Sequence, residues 1–214
     1  MTHLVDVLLV LLLLTNLRLL AASRIPSCIG AVAAQAALLG ALPIVAQGGW
    51  VTWRVAAIAL VSTALKAVVF PRLLCRAARA ANVDREVEPM LGFTASLVVG
   101  VALLGAALHL GSRLPTPDGA PSPFLVPVSL FTIMVGLLVI VSRVKALTQV
   151  LGYLAMENGI YAFGMAFAVE EPLLVEMGVL LDVFVAVFVM GIMIYRLSRE
   201  FDTIETDELD SLKE

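Results

Sequence analysis

Charge is the scarcest feature of this 214-residue chain: Asp, Glu, Lys and Arg make up 14% of it, against 61% apolar residues. A soluble globular domain carries about 25% charged residues to wet its surface. The sequence therefore excludes such a domain and makes lipid the solvent. Cysteine is nearly absent too. Cys28 and Cys75 form neither a CxxC pair nor a disulfide framework, and His3 and His109 are the only histidines, so the chain has no evident means of holding a redox metal. GxGxxG turns, phosphate loops, HExxH and nucleophile–base pairs are missing as well, which argues against a cofactor site or bond-making chemistry. Strict apolar–polar alternation is absent, which excludes a membrane β-barrel.

What is present is a series of long apolar runs. Seven can be marked off, at residues 4–22, 28–47, 53–75, 92–112, 125–142, 146–168 and 173–197. At about 20 residues per crossing they account for nearly the whole chain. The expected fold is an all-α integral membrane protein of about seven transmembrane helices spanning residues 1–199, followed by an acidic tail, 200–214, with seven acids and one lysine. No basic residue precedes the first run and Arg18 lies inside its end, so it reads as a retained helix and not a cleaved signal peptide. Basic residues in short loops stay in the cytoplasm. Arg18 and Arg24, the group Arg72, Arg76, Arg79 and Arg85, the pair Arg143 and Lys145, and the tail bases Arg196, Arg199 and Lys213 fall on one side; Arg54 and Arg113 fall on the other. This puts the N-terminus outside and the C-terminus in the cytoplasm. The same rule, with lipid head groups as counter-charges, explains the arginine cluster without nucleic acid. Pro115, Pro117, Pro121, Pro123 and Pro127 stiffen the outer connection between spans four and five.

An ionisable side chain near the bilayer centre costs at least about 2.5–3.5 kcal/mol, so each is a functional candidate. Lys66 lies near the middle of span three, Glu157 near the middle of span six and Asp182 in the inner part of span seven. Glu176 and His109 lie closer to the outer surface, and His109 reads as interfacial rather than as a metal ligand. In span six, Gln149, Tyr153, Glu157 and Tyr161 recur every four residues and form one slowly rotating polar stripe. Their hydroxyls and amide suit a carboxyl group with water beside it, as a proton site in lipid needs. The alternative for the Tyr and Gln residues is helix–helix adhesion. Gly152, Gly159 and Gly164 let a neighbouring backbone approach. Glu176 and Asp182 are about 120° apart around their helix and cannot face one partner. Lys66, with Ser62 and Thr63 nearby, is expected to pair with one of these acids, either in a relay or as a fixed buried pair orienting two helices. Desolvation works against the charged form of a carboxyl and of an amine alike, so a buried Glu and Lys at one depth can exchange a proton. The candidate proton pathway is therefore Glu157, Lys66, Glu176, Asp182, Tyr153, Tyr161 and Gln149, with His109 at its outer side.

The stretch Gly152-Tyr153-Leu154-Ala155-Met156-Glu157-Asn158-Gly159-Ile160-Tyr161, with Pro172-Leu173-Leu174-Val175-Glu176-Met177-Gly178-Val179 and Asp182 after it, resembles the hydrogenase-4 component E family. Arg18 to Arg24, Gln35, and Lys66 followed by Phe70-Pro71 extend the resemblance upstream. The last helices look like subunit K of respiratory complex I and the small subunit of Mrp-type antiporters. In subunit K a glutamate on each of two helices lines the central proton route, and Glu157 and Glu176 are the nearest counterparts. The register differs: the first subunit K glutamate precedes the Asn by four positions, where this chain has Leu154, and Glu157 directly precedes Asn158.

The resemblance implies a non-catalytic membrane-arm subunit of a group 4 [NiFe]-hydrogenase-type or complex I-related assembly in the plasma (inner) membrane of a prokaryote. Such a subunit contributes to proton or Na⁺ translocation coupled to redox chemistry. Its partners would be antiporter-like membrane subunits, hydrophilic redox subunits and phospholipids. Iron–sulfur clusters, and a nickel–iron centre where the host is a hydrogenase, would belong to the partners and none to this chain. The alternatives are an autonomous secondary ion transporter, against which stands the lack of an internal repeat, and a purely structural spacer.

Overall fold

The computed structural model describes residues 2–46, 60, 63–80, 90–114 and 121–167. Among these residues every regular element is helical. Helix α1 is Thr2–Ala21 and α2 is Ile25–Ala46. A π-helical turn, Leu65–Val69, runs directly into α3, Phe70–Ala80. Then follow α4, Phe93–Gly111, α5, Leu125–Ser142, and α6, Ala146–Phe167. Helices α1, α2, α4 and α5 are long and apolar enough to cross a membrane, and their limits lie within a few residues of the apolar runs. The 22-residue α6 is of similar length. The stretch assigned to span seven, with Glu176 and Asp182, and the acidic tail lie outside the described residues.

The third apolar run was expected to end at Cys75, with Arg76 and Arg79 in a loop. The helix instead continues to Ala80. The reason is amphipathicity: Phe70, Leu74 and Ala78 recur every four residues and are buried, while Arg72, Arg76 and Arg79 are exposed. Pro71 explains the π-helical turn before it. Proline has no N–H for the carbonyl four residues back, and its ring crowds that carbonyl. Widening the preceding turn relieves this, and the Phe70 N–H bonds the Leu65 carbonyl.

The bundle keeps a set of polar residues inside a largely apolar core and turns apolar residues outward. Leu4, Val7, Val10 and Leu14 on α1 and Val98 and Val101 on α4 are exposed, whereas Asn16, Gln35, Thr132, Glu157 and Asn158 are buried. Lipid removes the penalty for exposed leucine and leaves polar groups to pair with one another. The most extensive packing is between α5 and α6, antiparallel neighbours joined by Arg143-Val144-Lys145. Their backbones touch: a Cβ on Gly136 would lie 2.5 Å from the Met156 nitrogen, and one on Gly159 would lie 2.6 Å from the Ile133 nitrogen.

Connections gather at two opposite ends of the bundle. At one end, buried Arg143 donates to the carbonyls of Leu20 (3.0 Å) and Leu91 (3.4 Å) and stacks over the Phe93 ring at 4.4 Å. The Met90 N–H bonds the Ser142 carbonyl. One guanidinium thus fastens the end of α1, the approach to α4 and the α5–α6 connection, using its planar fork of donors. At the other end, the Ser122 hydroxyl donates to the Asp6 carboxylate at 2.6 Å, tying the start of α1 to the segment before α5. The α1–α2 and α5–α6 connections thus lie at one end of the bundle, and the segment before α5 lies beside the start of α1 at the other.

Candidate functional site

Lys66 leaves the π-helical turn and meets Glu157 of α6. Its Nζ is 3.0 Å from Oε1, with the two side chains 10% and 2% exposed. The ammonium also lies 5.6 Å from the centre of the Tyr161 ring, within cation–π range. Tyr161 lies one turn beyond Glu157 on the same helix, so the carboxylate and the aromatic face approach one cation together. Thr63, three residues before Lys66, packs on α2 at Gly40. A Cβ on Gly40 would overlap the Thr63 side chain, so glycine is what lets this helix approach closely enough for Lys66 to reach α6. Beside the pair is a cavity of about 10 Å³ lined by Gly40, Thr63, Lys66, Asn158 and Tyr161 among others. That is about the space one water needs, and the lining supplies polar partners for it.

From this cavity a chain of side-chain hydrogen bonds crosses the bundle. The Asn158 amide donates to Gln35 Oε1 (3.4 Å), the Gln35 amide to Asn16 Oδ1 (2.7 Å), and the Asn16 amide to Thr132 Oγ1 (2.8 Å). The Thr132 hydroxyl ends the chain on the Val128 carbonyl at 2.8 Å. All four side chains are buried, and they come from α6, α2, α1 and α5. Gln35 and Asn16 each accept on oxygen and donate from nitrogen in the same sense, so the dipoles reinforce one another. Amides are poor proton carriers, and the chemical consequence is rigidity: the chain fixes Asn158 and, through it, one wall of the cavity.

Of the sequence-derived candidates, Lys66, Glu157 and Tyr161 come together. Gln149 does not join them, since its amide donates to the Arg143 carbonyl at the end of the bundle. Tyr153 is half-buried and packs against the apolar cluster around Leu151 and Leu154. His109 is exposed near the end of α4, which packs on α5 and α1. Lys66 pairs with Glu157; Glu176 and Asp182, the acids expected to pair with it, lie outside the described residues. Asn16, Thr132 and Gly40 were missed. A lone Asn in a span was the available signal for the first, but nothing in the sequence pairs it with Gln35 or Thr132. Among the described residues no group of His, Cys, Asp and Glu could hold a metal ion.

Residues 124–214, which include α5 and α6, match the family NADH-ubiquinone/plastoquinone oxidoreductase chain 4L. The chain is 31% identical over 155 residues to hydrogenase-4 component E of Escherichia coli (strain K12), covering 69% of this chain and 68% of the relative. It belongs to the hydrogenase-4 component E family. A Shigella flexneri hydrogenase-4 component E shows the same identity and coverage. An uncharacterised protein of Mycobacterium tuberculosis (strain ATCC 25618 / H37Rv) is 32% identical over 159 residues, 74% of this chain and 72% of the relative. No solved structure matches the chain. Four apolar helices and membership of the component E family make this a multi-pass membrane protein related to a complex I subunit.

The amide chain gives a stability prediction for this component E relative. Gln35→Leu leaves an Asn158 donor and an Asn16 acceptor buried without their partner. Orphaned groups cost about 1–3 kcal/mol each, against about 0.6 kcal/mol for an average membrane hydrogen bond. The variant should lose about 2 kcal/mol or more, read as a lower SDS-unfolding midpoint in mixed micelles. A midpoint equal to wild type would show that the amides find other partners.

Proposed function

We propose that this chain is a non-catalytic membrane-arm subunit of a complex I-related or group 4 hydrogenase-type assembly, and that the Lys66–Glu157 pair is a proton-exchange site in its ion-translocation path. The observation that carries this reading is the buried ion pair itself, with a water-sized cavity beside Lys66. A helix-orienting role could be filled by the neighbouring amides at lower cost, as Asn16, Gln35 and Asn158 already do. A titratable acid and base at contact distance add the ability to pass a proton from ammonium to carboxylate and back, alternating between an ion pair and a neutral amine and acid. Tyr161 and a water in the cavity would extend the hydrogen-bonded route, and Glu176 and Asp182 are its proposed continuation. The relatives' names support placement among redox partners, which would hold the iron–sulfur and nickel–iron centres. The ion is H⁺ in this reading, with Na⁺ as the alternative cargo.

Seven spans with the N-terminus outside and the C-terminus in the cytoplasm of a prokaryotic inner membrane complete the proposal. It is supported by the placement of the α1–α2 and α5–α6 connections at one end of the bundle and by the arginine distribution. A reporter fused after Glu214 should be active in the cytoplasm and silent outside; the reverse would overturn the orientation.

The functional test is Glu157→Gln in the assembled complex. Gln keeps the shape and hydrogen-bonding capacity but cannot take up a proton. In inverted vesicles, redox-coupled acidification should fall by about a hundredfold or more, the lower side of the about 10²–10⁴-fold contributed by positioned proton-transfer groups. Subunit composition should be unchanged. Wild-type acidification with the complex intact would remove Glu157 from the pathway.

A further inference from the structure

Helix α3 turns a second, unrelated feature toward the outside of the bundle. Along one face of it lies an open depression of about 610 Å³ lined by Val68, Pro71, Arg72, Cys75, Arg76 and Arg79 among others, all from this helix and the turn before it. The three arginines stand at i, i+4 and i+7 and so share one helix face, all exposed. Like charges at this spacing destabilise a helix, and among the described residues the one ion pair is Lys66–Glu157, so no described carboxylate offsets them. The cleft is graded along its length. Val68 and Pro71 form an apolar end next to the membrane-buried Lys66, and Arg79 lies about 16 Å further along the helix, at 1.5 Å per residue. An apolar depth leading to a cationic rim matches a molecule with hydrocarbon chains and a phosphate head.

We propose that this cleft is a binding site for an anionic phospholipid, whose phosphate sits among Arg72, Arg76 and Arg79 and whose acyl chain lies along Val68 and Pro71. Guanidinium forks bind phosphate oxygens in pairs, and clustered basic residues on a helix at the membrane surface attract anionic lipid heads. Zwitterionic lipid has the same tails but offers the arginines no net charge.

Cys75 lines the cleft and reports on its occupation, while buried Cys28 reports on folding. The full chain is placed in nanodiscs of phosphatidylcholine, with or without phosphatidylglycerol, and alkylated with a maleimide. Alkylation of Cys75 should be several-fold slower in the anionic discs, at equal salt. Inorganic phosphate added to phosphatidylcholine discs should give no such slowing. The triple variant Arg72→Gln, Arg76→Gln, Arg79→Gln should lose the difference and retain about tenfold less phosphatidylglycerol in native mass spectrometry. Should that variant expose Cys28, the Arg→Lys triple, which keeps the charge, should retain part of the protection. The proposal is overturned if wild type labels equally in both discs, if phosphate alone protects, or if protection in phosphatidylcholine disappears when residues 200–214 are deleted. That last result would assign the cleft to the acidic tail.

Discussion

Lys66→Met should destabilise the chain by about 3–5 kcal/mol, the usual consequence of removing one member of a buried ion pair. Glu157, 2% exposed, would keep a carboxyl group in the bundle without the ammonium 3.0 Å away. Adding Glu157→Met to the same chain should then recover most of that stability, because two well-packed apolar residues often replace a buried pair at little or no net loss. Ion translocation should behave differently, staying at background in the single and in the double variant. The two readouts separate a structural role from a functional one. A fixed pair that merely orients helices predicts that stability and translocation recover together. A proton-exchange pair predicts stable protein that does not translocate. SDS-unfolding midpoints in mixed micelles and acidification by inverted vesicles, taken on the same preparations, decide between them.

Much of this site was legible because lipid makes charge conspicuous. In a chain with 14% charged residues, Lys66 and Glu157 stand out from the apolar runs around them, and their depths follow from counting residues. What could not be read was which face of each helix meets which neighbour. That depends on close approaches such as Gly40 against Thr63 and on the extra residue in the π-helical turn before Pro71. One added residue per turn rotates everything after it, so simple helical periodicity loses the azimuth of Lys66 there. The stripe from Gln149 to Tyr161 illustrates the same limit. It turns by about 40° for every four residues, enough to give Gln149 to the Arg143 carbonyl and Tyr161 to Lys66. The amide chain was the least legible part, since Asn16, Gln35, Thr132 and Asn158 come one from each of four helices and only tertiary packing brings them together.

Gly136→Ala should affect function more than the size of one methyl group suggests. The added Cβ would lie 2.5 Å from the Met156 nitrogen and 2.6 Å from its Cα. These are backbone atoms that cannot rotate away, so α6 must move from α5 by about 1 Å to regain van der Waals distance. Overpacking of this kind costs about 1–3 kcal/mol. The larger effect lies one residue further along: Glu157 follows Met156 and is displaced with it relative to Lys66, which stands on a different helix. A misplacement of about 1 Å can slow a positioned reaction by about 10²-fold. Translocation by Gly136→Ala should therefore fall by at least tenfold while the complex still assembles. Gly105→Ala is the control. A Cβ there meets nothing within 4 Å, and replacing glycine in a helix interior is favourable by up to about 1 kcal/mol, so that variant should be at least as stable as wild type and fully active. Equal activity in both variants would mean that α5–α6 contact does not set the position of Glu157.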